Sequence, residues 1–229
     1  MCWPCWTPQS ANRPDPVIPR IKICGLRTAE DVATAAACGA GDVGLVFFDK
    51  SPRHLSLDAA AALAKAVPIG IRKVALTVDA DDAALQALLD AVPVDLLQLH
   101  GHESPERVAE VRKRFGVPVM KAVGIADADD LAVLDTYTAV AEEILVDAKP
   151  PRGGVLPGGN GLKFDWTLLE GRTWSVPWML AGGLHAGNVA EAIRLTGAPQ
   201  VDVSSGVEKA PGQKDADLIR AFCAAVRSV

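Results

Sequence analysis

The chain has no run approaching the ~20 consecutive apolar residues that a membrane span requires, so no membrane partner is expected. Its opening, Met1 to Arg20, carries four prolines before Pro19 and lacks the apolar core of a signal peptide. Residues 1–19 are therefore predicted to be a flexible leader, or the product of a start codon assigned too early, and export is not expected. There is also no excess of positive charge. A formal net charge of −5 argues against nucleic acid as a partner, and any bound anion must be held by local donors against a mildly repulsive overall field. The five cysteines (Cys2, Cys5, Cys24, Cys38 and Cys223) are an odd number without regular spacing, which speaks against a disulfide scaffold and for a reducing cytoplasm. Cys2 and Cys5 form a C-x-x-C pair, but no second pair or His-x-His follows nearby. His100 and His102 lie two residues apart without a cysteine or acidic partner at metal-like spacing, so hydrogen-bonding or packing roles are expected and a metal is not. Aromatic residues make up only 5% and alanine is abundant, as suits helices packed closely on a sheet.

What is present is a repeated unit. With 49% hydrophobic and 22% charged residues, the 229-residue chain fits a single globular domain, predicted over 20–229. From Arg20 onward, short β-rich runs alternate with alanine-rich helical patterns. Strands are predicted at 20–24, 42–46, 71–77, 96–100, 117–122, 143–147, 178–181 and 200–203. Helices are expected at 28–39, 56–66, 81–91, 104–116, 127–137, 188–196 and 215–226, with a short one around 166–170. Thr28 is placed to cap a helix whose first turn holds Glu30 and Asp31, and Ser104-Pro105 is a cap followed by proline at the first helical position. The longest irregular segment is Ala148 to Phe164. Eight strand–helix units near 25 residues each predict an α/β fold, a single (βα)8 TIM barrel with a closed eight-stranded parallel sheet. An open nucleotide-binding sheet would carry G-x-G-x-x-G after its first strand, whereas this strand ends in Cys24-Gly25-Leu26-Arg27.

In such barrels the chemistry sits at the C-terminal strand ends. The polar residues there are Cys24 on strand one, Gln98 and His100 on four, Asp147 on six, and Asp202 with Ser204 and Ser205 on eight, with Arg53 in the loop after strand two. Two segments suit phosphate: Ala181-Gly182-Gly183 after strand seven and Ser204-Ser205-Gly206 after strand eight, where bare backbone N–H groups can surround an anion. Two ordinary βα turns would use the same glycines. A lone strand cysteine such as Cys24 is most often a small buried hydrophobe, but at this strand end a thiol could act as a base if its surroundings favour the thiolate. Asp147 ends the apolar run Ile144-Leu-Val146; partial desolvation there would favour the protonated form that a general acid needs, although a loop cap would look the same.

The motifs Lys22-Ile-Cys-Gly25, Lys50-Ser-Pro-Arg53, Gln98-Leu-His-Gly101, Leu145-Val-Asp147, Gly158-Gly-Asn-Gly161 with Phe164-Asp-Trp166, Ala181-Gly-Gly-Leu184, and Val201-Asp-Val-Ser-Ser-Gly-Val-Glu208 with Pro211-Gly212 and Lys214-Asp215 occur in one order. From about Arg20 to the C-terminus the chain thus resembles the phosphoribosylanthranilate isomerase family. The resemblance implies an enzyme of tryptophan biosynthesis that carries out an Amadori rearrangement. N-(5-phosphoribosyl)anthranilate would become 1-(2-carboxyphenylamino)-1-deoxyribulose 5-phosphate, with no metal or organic cofactor. By analogy Asp147 would be the acid that opens the ribose ring and Cys24 the base at C2. Arg53 would meet the anthranilate carboxylate and Asp202 the sugar hydroxyls. Gln98 and His100 are also assigned to substrate binding, and Gly182, Gly183, Ser204, Ser205 and Gly206 to phosphate.

Asn160 stands where many relatives carry threonine or serine, His185 replaces a smaller polar residue, and the leader has no counterpart in the family core. An isomerase of histidine biosynthesis would use aspartate in place of Cys24. A non-catalytic phosphate sensor would have no need of Cys24 and Asp147 together. The expected assembly is a monomer or homodimer.

Overall fold

The structure, a computed structural model, describes residues 18–149, 158–159 and 161–229. Eight strands run parallel in chain order: β1 (Arg20–Cys24), β2 (Asp42–Phe47), β3 (Arg72–Thr77), β4 (Leu96–Leu99), β5 (Val119–Ile125), β6 (Glu143–Ala148), β7 (Trp178–Leu180) and β8 (Gln200–Val203). The last strand pairs back onto the first, so the sheet closes into a barrel. Around it lie α1 (Ala29–Ala37), α2 (Leu57–Ala64), α3 (Asp82–Ala91), α4 (Pro105–Phe115), α5 (Asp129–Thr138), α6 (Val189–Thr196) and α7 (Ala216–Arg227). A single 3-10 turn, Trp166–Leu169, stands where a helix would follow β6. After β8 comes a 3-10 turn, Ser205–Val207, and then a small antiparallel hairpin, β9 (Glu208–Ala210) with β10 (Gln213–Lys214).

The helices start where side chains cap them. Thr28, Ser56, Asp81, Ser104 and Asp215 each accept a hydrogen bond from a backbone N–H two or three residues on, at 2.8–3.3 Å. Each such cap contributes about 1 kcal/mol. The sequence placed the fifth strand at 117–122, whereas β5 begins after Pro118 and runs on to Ile125. Its extension follows its neighbour: Val123, Gly124 and Ile125 pair with Val146, Asp147 and Ala148 of β6. Gly124 contributes no strand signal of its own, so the pairing partner decides the length. The β9–β10 hairpin has strands too short to show a period of two.

Strand alternation sorts the core into two layers. Ile21, Ile23, Val43, Leu45, Leu97, Leu99, Ile144, Val146, Val201 and Val203 pack outward against the helices. Val74, Leu96, Met120, Ala122, Leu145, Met179 and Ala181 fill the barrel interior. The interior also contains charge. Near the strand starts, the Arg72 guanidinium bonds Asp42 at 2.7 and 3.1 Å and also holds Glu143, while Arg20 grips Asp42 from the other side at 2.8 Å. Higher up, Lys22 of β1 and Asp202 of β8 are register partners, and Lys22 Nζ donates to Asp202 Oδ1 at 2.8 Å. Burial works against the Lys22 ammonium, but Asp202, with Cys24 and Asp42, outweighs it and holds the lysine above its ordinary range.

Removing one partner of such a pair strands a buried charge, at a cost of about 3–5 kcal/mol. Lys22→Met should therefore lose stability of about that size in urea unfolding, and Lys22→Met with Asp202→Leu should recover most of it. Equal losses in the single and double variants would mean that packing, not charge, sets the cost.

Candidate active site

The inward alternation that buries Lys22 and Asp202 places the next inward residue of each strand at the C-terminal mouth. On β1 that residue is Cys24, 4% exposed, whose Sγ lies against Gly44; a Cβ there would come within 2.8 Å of the sulfur. Burial pushes the Cys24 thiol up, Lys22 pulls it down, Asp202 adds to the rise, and Lys214 and Arg53 oppose it more weakly; the net direction is upward. The thiolate-favouring surroundings that a base requires are thus partly present, in three cations, but burial outweighs them in the unliganded chain.

On β6 the inward residue is Asp147. Its Oδ1 accepts the Ala148 N–H at 2.8 Å, and its Oδ2 faces Nε2 of His100 at 3.3 Å. His100 follows β4 directly, its backbone N–H still bonded to the Thr77 carbonyl, and its Nδ1 meets the Gln98 carboxamide at 2.8 Å. Gly158 covers this pair closely. A Cβ there would sit 2.7 Å from both Asp147 Oδ2 and His100 Nε2, so any side chain at 158 would have to push these two groups aside.

Two adjoining pockets open at the mouth. One, of about 470 Å³, is bordered by Cys24, Arg53, His100, Asp147, Asp202 and Ser204, with Val46, Phe48, Leu76 and Val78 forming an apolar wall. The other, of about 400 Å³, is bordered by Gly161, Gly182, Gly183, Ser204 and Ser205. The two share Asp147, Gly158, Gly159, Asp202 and Ser204. In the second pocket Gly183 has φ +62°, and a Cβ on it would meet the Leu162 carbonyl at 2.7 Å; only glycine suits that turn. Asn188 donates to the Gly183 carbonyl at 3.0 Å and accepts from the His185 N–H at 2.8 Å, tying the loop to the start of α6. Gly206 of the predicted phosphate set packs against the Leu184 carbonyl beside this pocket, linking the loops after β7 and β8.

Arg53 is brought to the mouth, 5% exposed, but its fork is engaged: Nε and Nη2 donate to the two Glu208 carboxylate oxygens at 2.7 and 2.9 Å. Nη2 also reaches the Gly159 carbonyl at 3.3 Å. Lys214 completes a buried cluster by donating to Glu208 at 2.7 Å and to the Ser204 carbonyl at 2.9 Å. Burial works against the Glu208 carboxylate, but Arg53 and Lys214 outweigh it and hold its carboxyl below the usual range. Burial lowers Lys214 more than Glu208 raises it. Neither Glu208 nor Lys214 was assigned a site role from the sequence. Their only signal was their place in the motif after strand eight, because the hairpin that folds one onto the other has no legible periodicity. His102 does not join the site: it is exposed and pairs with Asp79 at 2.9 Å. Among the described residues no three His, Cys, Asp or Glu gather as a metal site. Cys2, Cys5 and Asn160 lie outside the described residues, as does the predicted leader up to residue 17.

A closed parallel barrel with its polar side chains gathered at the C-terminal strand ends defines the class: a (βα)8 protein built for chemistry at one mouth. The model of the N-(5'phosphoribosyl)anthranilate isomerase family matches residues 21–225, and the chain belongs to that family. It is 64% identical over 208 residues to the N-(5'-phosphoribosyl)anthranilate isomerase of Cereibacter sphaeroides, a match covering 91% of this chain and 98% of the relative. Among solved structures it resembles phosphoribosyl anthranilate isomerase from Thermotoga maritima, with a TM-score of 0.81, 32% identity, and 92% and 99% of the two chains covered. It is also similar to a phosphoribosyl anthranilate isomerase in complex with reduced 1-(o-carboxyphenylamino)-1-deoxyribulose 5-phosphate, with a TM-score of 0.77, 30% identity, and 92% and 99% covered.

Glu208→Gln leaves Arg53 and Lys214 buried with one partner fewer, so it should cost about 3–5 kcal/mol at pH 7. Because the folded carboxyl titrates below its unfolded value, that contribution is complete above about pH 4.5 and is lost as pH falls through the lower folded value. Urea unfolding of the parent and variant from pH 7 to pH 3 should therefore show the gap closing only on the acid side.

Proposed function

We propose that this chain converts N-(5-phosphoribosyl)anthranilate to 1-(2-carboxyphenylamino)-1-deoxyribulose 5-phosphate by proton transfer between substrate and two side chains, Asp147 and Cys24. The observation that carries this reading is that both residues border one pocket, and that this pocket opens into the glycine-lined one beside it. Family membership supports the substrate and the place in tryptophan biosynthesis.

Asp147 gives its proton to the ribose ring oxygen. The C1–O bond breaks as the anilino nitrogen lone pair forms the C=N bond, leaving an open-chain iminium. The Cys24 thiolate then takes the proton from C2, and the C–H electrons become the C1=C2 bond of an enolamine while nitrogen regains its lone pair. Tautomerisation places the carbonyl at C2. The iminium is the electron sink, so the bond changes need only an acid and a base, each worth about 10²–10⁴ in rate. Lys22, Lys214 and Arg53 are the charges that favour a thiolate against its burial.

In this reading the phosphate rests against the backbone of Gly182, Gly183, Ser204, Ser205 and Gly206, where close approach compensates for the absence of a cation among the described lining residues. Asp202, held by Lys22, faces the sugar hydroxyls, and His100 borders the substrate pocket while Gln98 is buried behind it and meets its ring. The anthranilate ring takes the apolar wall of Val46, Phe48, Leu76 and Val78. Its carboxylate meets Arg53, whose Nη1 is the edge not committed to Glu208. All these residues belong to one chain, so a monomer or a homodimer serves equally. Cys24, Cys38 and Cys223 are free thiols, which fits a reducing cytoplasm. No helix of the described residues is long and apolar enough to cross a membrane.

The test is the loss of anthranilate-type fluorescence when the purified protein meets freshly generated phosphoribosylanthranilate in the presence of chelator. Cys24→Ser and Asp147→Asn should each lower kcat by about 10²–10⁴ with KM little changed. Near-normal turnover in either variant would remove that residue from its role.

A further inference from the structure

The cluster of Arg53, Glu208 and Lys214 does more than balance charge, because it fixes the arginine along its whole length. The Arg53 backbone N–H donates to Ser51 Oγ at 3.2 Å. Its aliphatic stem passes over Gly25, which has φ +78° and where a Cβ would come within 2.5 Å of the arginine Cδ. Its head is gripped by both Glu208 oxygens through Nε and Nη2, which leaves Nη1 without a hydrogen bond among the described residues. Gly159 lies against that free nitrogen, with a Cβ there only 2.6 Å away, so backbone crosses the Nη1 edge without a side chain to cover it.

Glu208 is held in turn by the β9–β10 hairpin. The Gly212 N–H donates to its Oε2 at 3.2 Å and Lys214 Nζ to its Oε1 at 2.7 Å. The hairpin is pressed onto the loop that carries Arg53: Gly212 has φ +75°, and a Cβ on it would collide with the Pro52 carbonyl. Lys214 has no donor to spare, since it also reaches the Ser204 carbonyl at 2.9 Å and the Ser204 hydroxyl at 3.4 Å.

Among the described residues that border the substrate pocket, Arg53 is the one arginine or lysine, and the same pocket has the apolar wall of Val46, Phe48, Leu76 and Val78. An aromatic ring bearing a carboxylate therefore has one cationic edge to meet there, Nη1. Contact through a single edge demands aim. A guanidinium free to turn on its long stem would lose side-chain entropy on binding and could present any of its edges. The Glu208 fork removes that freedom before the ligand arrives, and preorganisation of this kind adds affinity.

We propose that Glu208 is a positioning residue that sets specificity: by locking Nε and Nη2 of Arg53 it turns the Nη1 edge to the pocket, so that the enzyme discriminates an aromatic amine with an ortho carboxylate from one without. This rests on the reading of Arg53 as the carboxylate's partner and extends it to a residue that borders neither pocket.

The test uses two ligands that differ in one group: the product, 1-(2-carboxyphenylamino)-1-deoxyribulose 5-phosphate, and the analogue 1-phenylamino-1-deoxyribulose 5-phosphate, each titrated calorimetrically. The parent should bind the product about ten- to a hundredfold more tightly than the analogue. In Glu208→Gln, affinity for the product should fall about tenfold while affinity for the analogue stays within about threefold. In turnover, KM for phosphoribosylanthranilate should rise with kcat little changed, as loss of a contact made equally in the ground and transition states requires. Because Glu208→Gln also loses stability, Glu208→Asp is measured beside it. That variant keeps the charge, shortens the reach by one methylene, and should show the same selective loss by a smaller factor. A merely structural role would weaken both ligands alike or lower kcat instead of raising KM; either result would overturn the proposal, as would parental discrimination in either variant. If the parent itself bound both ligands equally, the carboxylate reading of Arg53 would fail, and with it the part assigned to Glu208.

Discussion

The barrel closes at the seam between β1 and β8, where Lys22 and Asp202 face each other in register. Two charges without access to water are costly, and neither would be tolerated there without the other. Their pairing determines how the first strand sits against the last, and with it the heights of Cys24 and Ser204, one inward step above. The Ser204 hydroxyl donates to the Cys24 carbonyl at 3.2 Å across the same seam. The Cys24 thiol, the serine loop after β8 and Asp202 are thus joined at one line of strand pairing.

Charge inside the barrel is graded by depth. At the strand starts it is balanced by guanidinium forks, Arg20 and Arg72 around Asp42 and Glu143. In the middle it is a single lysine–aspartate pair. At the mouth most charges have a protein partner: Arg53 and Lys214 share Glu208, and Asp202 has Lys22. Cys24 and Asp147 are the exceptions. Among the described residues the thiol has no hydrogen-bonded partner of opposite charge, and the carboxylate faces a histidine and one backbone N–H. The two groups least committed to structure are those proposed to exchange protons with substrate, whereas paired groups would have to break a bond first.

Much of this was legible in the sequence, because local signals and the barrel's geometry agree. Caps such as Thr28 and Ser104, stops such as Gly116, and β-rich runs every 25 residues leave few alternatives to eight strand–helix units. Once the strand ends are known, the inward alternation of a closed sheet makes Cys24, Gln98, His100, Asp147 and Asp202 converge. Where the sequence misled, the cause was a partner in space. The extra residues of β5 are strand because β6 lies beside them, and Arg53 is tied up because the β9–β10 hairpin folds Glu208 and Lys214 onto it.

The sequence by itself determined the repeat, the closed-barrel class, the family and the identity of the residues that crowd the mouth, since each depends on chain-local periodicity or motif order. The tertiary structure alone decided their chemical state. The pairing of Arg53 with Glu208, 155 positions apart in the chain, the facing of His100 onto Asp147, and the burial of the Cys24 thiol all depend on distances in space. Interaction energy between such groups depends on separation in space and on exclusion of water, and neither is written in the order of residues along the chain.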